Sequence, residues 1–247
     1  MLDNVKIEDI LFIDIETVPA VSDFNLLNDT MKILWERKSK QFKIEELSSE
    51  ELYKKAGIYS EFGKIICISA GLIAEKNPLT LRLKSFYGDD EKAILDDFSA
   101  MLSKFAKPPK EALLCAHNGK EFDFPYIARR MIINNVKIPA LLDNAGKKPW
   151  EIKLLDTMEL WKFGDYKSYT SLDLLTTILG IPTPKDDIDG SMVADIYFKD
   201  NDIERIAKYC EKDVTAIVQT LLRFMNKPLI EPDKIESVTF PTEIKLF

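Results

Sequence analysis

The sequence is poor in soft metal ligands and has no long apolar run. It contains one histidine, His117, and three cysteines, none of which forms a Cys-x-x-Cys pair. These residues are too few for a zinc site, so any bound metal must be held by oxygen. Cys67, Cys115 and Cys210 lie among apolar neighbours and are expected to be reduced thiols of the core.

Membrane and export signals are also missing. No apolar stretch approaches the roughly 20 residues that a membrane helix needs. The opening segment, MLDNVKIEDI, has neither the basic start nor the apolar stretch of a signal peptide. We therefore expect a soluble, cytoplasmic protein.

The sequence also has no excess of basic residues. The chain has 34 Lys and Arg against 41 Asp and Glu, a net charge of −7. This balance disfavours strong nonspecific binding to phosphate backbones. It does not exclude a nucleic-acid ligand, because divalent cations held by carboxylates neutralise negative charge locally.

The composition and the hydrophobic pattern predict one α/β domain over residues 1–247. Hydrophobic residues make up 46% of the chain, enough to bury one substantial core. Short apolar runs predict five strands of a mixed sheet, and Glu75 to Pro78 predicts the turn of a hairpin. The predicted strands are Asp9 to Ile15, Lys64 to Ala74, Leu79 to Phe86, Ala112 to Ala116, and Ile152 to Leu155.

Apolar residues at three- and four-residue spacing predict helices that flank this sheet. Ser171 and Ser191 have the side chains of helix N-caps. The predicted helices are Asp90 to Phe105, ended by Pro108 and Pro109, then Phe122 to Ile133, Ser171 to Leu179, Met192 to Phe198, and Asp202 to Phe224. Residues 227–247 are expected to be an extended tail that covers the domain.

Residues 23–60 form a predicted helical insertion between the first two strands. Basic residues lie there near Trp35 and Phe42: Arg37, Lys38, Lys40 and Lys43. Such a pattern suits a solvated helix face, and it also suits a surface that contacts phosphates and bases. The sequence leaves both interpretations open.

Asp14 and Glu16 end the first predicted strand. Side chains at i and i+2 of a strand point to one side, so the two carboxylates project together. Such a pair can share a hard cation, or it can simply begin a polar loop.

A second acidic element follows the predicted strand Ala112 to Ala116. Asp123 lies near the start of the next helix, where an acid can complement the helix dipole without any further role. Asn118 and Gly119 form a turn before it. His117 can belong to that turn or contact a substrate, and Asp156, after the fifth strand, is a possible auxiliary acid outside the metal set.

The third element lies in the long helix. Tyr209 and Asp213, separated by four residues, lie on one face of that helix and flank its apolar stripe. A partly buried acid there is costly unless it is paired. The alternative is a tyrosine that packs on the sheet beside an exposed aspartate.

Together these elements resemble the DEDD superfamily of 3′-5′ exonucleases, in its DEDDy branch, which has a ribonuclease-H-like fold. The segment FIDIETVP holds the first acidic pair, Asn118 to Asp123 resembles the second motif, and Tyr209 to Asp213 matches the third. The related branch has a histidine five residues before the final aspartate, where this chain has Lys208. The stretches KAGIYSEFGKIICISAGLI and DIERIAKYCEKDVTAI also resemble stand-alone bacterial exonucleases similar to the proofreading domain of family B DNA polymerases.

The resemblance implies a role for each matching residue. Two divalent cations, Mg²⁺ or Mn²⁺, are expected, with Asp14, Glu16 and Asp213 at the tighter site and Asp123 at the second. Asp14 is expected to bridge the two, and Tyr209 is expected to orient the attacking water. The substrate-binding residues implied are Thr17, Asn118 and Phe122.

The implied partner is a nucleic acid with a free 3′ end, expected to be single-stranded DNA, and DNA is favoured over RNA. A polymerase or repair partner would act in trans. The alternatives are an RNA-processing exonuclease and a catalytically silent module that binds nucleic acid or a polymerase. The intact acids argue against the silent module.

Overall fold

The structure is a computed structural model that describes residues 2, 5–44, 46–74, 78–108, 111–165, 169–182 and 188–241. The predicted turn residues 75–77, Pro109, and residues 242–247 of the tail lie outside these ranges. The described chain is organised around one mixed sheet. Its strands are β1 (Ile10–Pro19), β2 (Gly63–Ala74), β3 (Thr80–Tyr87), β4 (Leu113–Ala116), β5 (Leu154–Asp156) and β6 (Ile235–Ser237).

The mixed α/β fold predicted from the sequence is confirmed, with one strand more than the five expected. The strand order is β5-β4-β1-β2-β3-β6. β1 to β3 form an antiparallel meander, while β4 and β5 continue from β1 in parallel. The sixth strand comes from the tail, where Ile235–Ser237 pairs in parallel with β3.

The first strand is longer than predicted, and the acidic pair lies within it. β1 continues to Pro19 because β2 pairs with it along this whole length, with Glu16 opposite Cys67. A register shift lies between Glu16 and Thr17. Such an irregularity turns the side chains that follow it, a common feature beside active sites.

Helices cover both faces of the sheet, near the predicted positions. They are α1 (Asp29–Ser39), α2 (Glu91–Phe105), α3 (Asp123–Ile133), α4 (Thr157–Lys162), α5 (Leu172–Ile178), α6 (Val193–Asp195) and α7 (Ile203–Phe224), with a π-helical turn at Ile196–Asp200. Ser171 caps α5 as predicted, through a bond from the Leu174 amide. Ser191 does not cap a helix; its hydroxyl donates to Asp189 Oδ1 instead.

The alternation of side chains along β1 assigns each residue to one of two cores. Ile13 and Ile15 pack in a core with residues of α2 and α3. Ile10 and Phe12 pack on the other face with residues of α7. By the two-residue period of a strand, Asp14 and Glu16 share the α7 face with Phe12.

A glycine lets α7 lie close to the sheet. A Cβ at Gly71 of β2 would lie 2.7 Å from Val214 Cγ1 of α7, closer than carbon atoms tolerate. The missing side chain allows this close approach. The acids of β1 therefore lie close to the third motif, Tyr209 to Asp213, on α7.

The insertion is helical, as predicted, and has its own aromatic core. Trp35 is fully buried, and its ring contacts those of Tyr53 and Phe62. It therefore cannot stack on bases, whereas Arg37 and Lys40 are exposed. These observations favour the solvated helix face over the nucleic-acid surface.

The insertion is also tied to the rest of the domain near β1. The Tyr126 hydroxyl of α3 donates to the Gly57 carbonyl at 2.7 Å. Arg130 donates to the Ser60 carbonyl and forms a buried ion pair with Glu91 of α2. A Cβ at Gly57 would lie 3.1 Å from the Val18 carbonyl carbon, so this segment packs directly on the end of β1.

Candidate active site

Asp14 and Glu16 form the centre of a buried acidic site. Their carboxylate oxygens and the Cys210 sulfur lie within 4.8 Å of one another. Asp14 is half-buried, and Glu16 is only 8% exposed. The predicted pairing of the two acids on one side of β1 is thus met by the structure.

Cys210 is a neighbour that the sequence did not identify. As predicted, all three cysteines are buried and free. The Cys210 thiol, however, donates to Asp14 Oδ2 at 3.2 Å and lies 3.4 Å from the Asp14 carbonyl oxygen. Its position on α7, three residues before Asp213, was the available signal that it faces the same site.

Asp123 and Asp213 complete the acidic group electrostatically. Burial raises the pKa of Asp14, and the negative charges of Asp213, Asp123 and Glu16 raise it further. Burial also raises the pKa of Glu16, and the negative charges of Asp213 and Asp123 raise it further. The four acids of the three motifs therefore lie near enough to repel one another.

Asp123 connects α3 to β1. It is 3% exposed at the first position of α3, and its carboxylate accepts a bond from the Ile15 backbone. Burial raises its pKa to about 7, and the charges of Asp156 and Asp213 add to this effect. A role limited to complementing a helix dipole does not explain an acid buried among other acids.

Tyr209 and Asp213 lie one turn apart on α7, and their side chains are hydrogen-bonded. Burial raises the pKa of Tyr209 far above its usual value, and the charges of Asp213 and Glu16 raise it further. The phenol thus stays protonated and acts as a hydrogen-bond donor. Tyr209 is half-buried and borders a cleft of about 520 Å³ that Arg205, Lys208 and Lys212 also line.

Thr17 and Phe122, two of the predicted substrate residues, are each next to an acid in the sequence, and the third, Asn118, lies in the turn before Asp123. Thr17 follows Glu16 on β1, and its side chain is hydrogen-bonded to Tyr126. Phe122 precedes Asp123, and its ring centroid lies 5.4 Å from that of Tyr126. The amide oxygen of Asn118 is buried and has no hydrogen-bond partner among the described residues.

The raised pKa values predict how stability depends on pH when no cation is bound. The folded chain keeps a proton on Asp123 up to about pH 7, whereas the unfolded chain releases it near the usual value of 3.8. The free energy of unfolding should therefore fall as the pH rises through this window. In chelator, urea unfolding should show a smaller fall for Asp123→Asn than for the wild type, and equal falls would contradict the assignment.

Comparisons with known proteins agree with this geometry. A family model described as a predicted 3′-5′ exonuclease related to the exonuclease domain of PolB matches residues 58–246. The matched range includes Asp123, Tyr209 and Asp213, and begins after Asp14 and Glu16. A search of curated proteins finds no match.

One solved structure shows the same fold. The family B DNA polymerase from the hyperthermophilic archaeon Pyrobaculum calidifontis matches with a TM-score of 0.52 and 13% sequence identity. The match covers 88% of this chain and 24% of that polymerase. None of the described helices combines the length and the apolar character that a membrane span needs.

The family match spans well over half of the sequence. The chain belongs to the predicted 3′-5′ exonucleases related to the exonuclease domain of PolB, enzymes of the ribonuclease-H-like superfamily.

Proposed function

We propose that the protein is a metal-dependent exonuclease that removes nucleotides from the 3′ ends of nucleic acid, DNA in preference to RNA. The observation that carries this proposal is that acids of β1, α3 and α7 lie near enough for their charges to raise the pKa values of Asp14, Glu16 and Asp123. The four acids are Asp14, Glu16, Asp123 and Asp213. Burying several carboxylates together is unfavourable unless cations or protons compensate their charge. We take residues 1–247 to be one exonuclease domain.

The side chains fit hard divalent cations, Mg²⁺ or Mn²⁺. The four acids offer only oxygen, which such cations prefer, and the two on β1 are close enough to share one. Asp14, Glu16 and Asp213 would hold one cation, while Asp14 and Asp123 would hold a second. When bound, the pair would activate the attacking water and stabilise charge on the leaving oxygen.

The protein's own groups orient the reactants. The Cys210 thiol donates to Asp14 and so restrains its carboxylate. The Tyr209 hydroxyl remains protonated and donates to Asp213, so its oxygen would orient the attacking water by accepting a hydrogen bond from it. Positioning, rather than removal of a proton by the phenol, is the role that its raised pKa supports.

The terminal nucleotide would bind over Thr17, Asn118 and Phe122. Phe122 offers a half-buried ring on which a base can stack. Asn118, whose amide oxygen has no hydrogen-bond partner among the described residues, would line the cleft that holds this nucleotide. The basic side chains of the cleft beside Tyr209 would attract the phosphates of the strand.

Two relationships support DNA as the substrate. The matched family is related to the exonuclease domain of PolB, and the similar fold belongs to a DNA polymerase. Single-stranded ends are proposed because a single 3′ strand must reach a buried acidic site. A proofreading or DNA-repair role would require a polymerase or repair protein acting in trans.

The test uses single-stranded DNA and RNA of one sequence, labelled at the 5′ end, with Mg²⁺, Mn²⁺ or chelator. We expect stepwise shortening from the 3′ end that needs the cation and is faster for DNA. Asp14→Ala and Asp213→Ala should each abolish it, because each removes an oxygen donor.

Asp96→Ala is the matched control, since Asp96 is an exposed acid of α2 paired with Lys92. Its activity should equal that of the wild type. Cleavage retained in both site variants would contradict the assignment. Oligonucleotide that is bound but never shortened would favour the silent binding module, and faster shortening of RNA would favour the RNA-processing enzyme.

Tyr209→Phe tests the orienting role of the hydroxyl. The variant keeps the ring and loses the hydroxyl, so kcat should fall by about 10²-fold or more. The dissociation constant for DNA, measured with Ca²⁺ in place of the active cation, should change much less. Weakened binding with unchanged kcat would contradict the role.

A further inference from the structure

Asp156 lies outside the acidic site, and the proposed chemistry does not use it. It is 3% exposed and ends the edge strand β5, where its register partner is Ala116 of β4. Buried carboxylates are rare unless their oxygens are fully hydrogen-bonded. The partners of this carboxylate therefore indicate its role.

Four backbone amides from two segments bind the Asp156 carboxylate. Oδ1 accepts from Met158 and Glu159, the first turn of α4, at 3.0 and 3.3 Å. Oδ1 also accepts from Asn118 at 2.9 Å, and Oδ2 accepts from Lys120 at 3.0 Å. One side chain thus caps α4 and clamps the turn that carries the second acidic motif.

His117 makes a second connection between the same segments. Its Nδ1 lies 2.9 Å from Thr157 Oγ1, and its Nε2 lies 2.9 Å from the Thr170 carbonyl oxygen. A carbonyl can only accept, so Nε2 carries a proton. Burial lowers the pKa of His117, so the ring is neutral and Nδ1 accepts from Thr157. Both ring nitrogens are occupied within the protein, which favours the structural role of His117 over substrate contact.

The clamped turn leads directly to Asp123. Asn118 has φ of 60°, and its carbonyl accepts from the Phe122 amide at 3.0 Å. A Cβ at Gly119 would lie 2.4 Å from Ala116 Cβ, so the turn packs tightly against β4. The Gly119 carbonyl accepts from Phe124 as α3 begins. Little freedom remains between the clamp and the start of α3.

We propose that Asp156 is a positioning residue, which, supported by His117, fixes the turn of residues 117–122 and thereby sets Asp123 against Asp14 and Glu16. Loss of a group that orients a metal-binding side chain through hydrogen bonds typically lowers metal affinity or activity by about 10- to 100-fold. This inference rests on the proposed cation site. It assigns Asp156 no contact with substrate or cation.

The Asp156→Asn variant keeps the helix cap and the bond from Asn118, and it breaks the bond from Lys120. Asparagine is an equally good N-cap, so Oδ1 can still accept from the first turn of α4. Its amide nitrogen would face the Lys120 amide, and two donors cannot bond. We expect the dissociation constant for Mn²⁺, measured by calorimetry without nucleic acid, to rise about 10- to 100-fold.

The matched control is Asp90→Asn. Asp90 is the exposed N-cap of α2, and its side chain accepts from the Ala93 amide. This variant should bind Mn²⁺ as the wild type does. In Asp156→Asn, the Lys120 amide should also exchange its hydrogen at least about 10-fold faster than in the control.

Mn²⁺ affinity of Asp156→Asn equal to that of the control would overturn the inference. If Asp156→Asn does not fold, Thr157→Val replaces it, because that change removes the hydroxyl that binds His117. Weaker Mn²⁺ binding by Thr157→Val than by the wild type supports the inference. Unchanged Mn²⁺ binding overturns it. Wild-type protein that binds Mn²⁺ but cuts no nucleic acid would refute the exonuclease proposal while leaving the comparison of affinities intact.

Discussion

The repulsion among carboxylates buried at one place is the constraint on which the rest of the site depends. Asp14, Glu16 and Asp123 each lose water on folding, and each is raised in pKa first by burial and then by its acidic neighbours. Such a group is stable only with protons or cations. The surrounding structure holds the acids together against this cost.

Ordinary packing supplies that restraint. The alternation of β1 directs two acids to the α7 face, and Gly71 lets α7 approach the sheet. Cys210 then meets Asp14, while Tyr209 and Asp213 stand beside it on the same helix. The apolar stripe of α7 is thus both a core element and the support of the third motif.

Much of this arrangement could be predicted because the signals are local. Strand alternation pairs Asp14 with Glu16, and helical spacing pairs Tyr209 with Asp213. The length of β1 could not be read in this way, since it depends on distant pairing with β2. The sixth strand was missed for the same reason. Trp35 was considered for a nucleic-acid surface because its burial depends on contacts with four rings that the sequence does not show, those of Phe42, Tyr53, Tyr59 and Phe62. The capping role of Asp156 could be predicted, because Asp156 and Glu159, three residues later, form the pattern of a capping box. Its hydrogen bonds to residues 118–120 could not, because they are tertiary contacts.

The most direct test of the central claim is to count the protons released when Mn²⁺ binds. Calorimetric titrations at about pH 6.5, in buffers of different ionisation enthalpy, give this number, because carboxylates must lose their protons to bind a cation. The account predicts release of about one proton or more by the wild type, and less by Asp123→Asn. Binding of Mn²⁺ without proton release would contradict the claim that these buried acids exchange protons for cations.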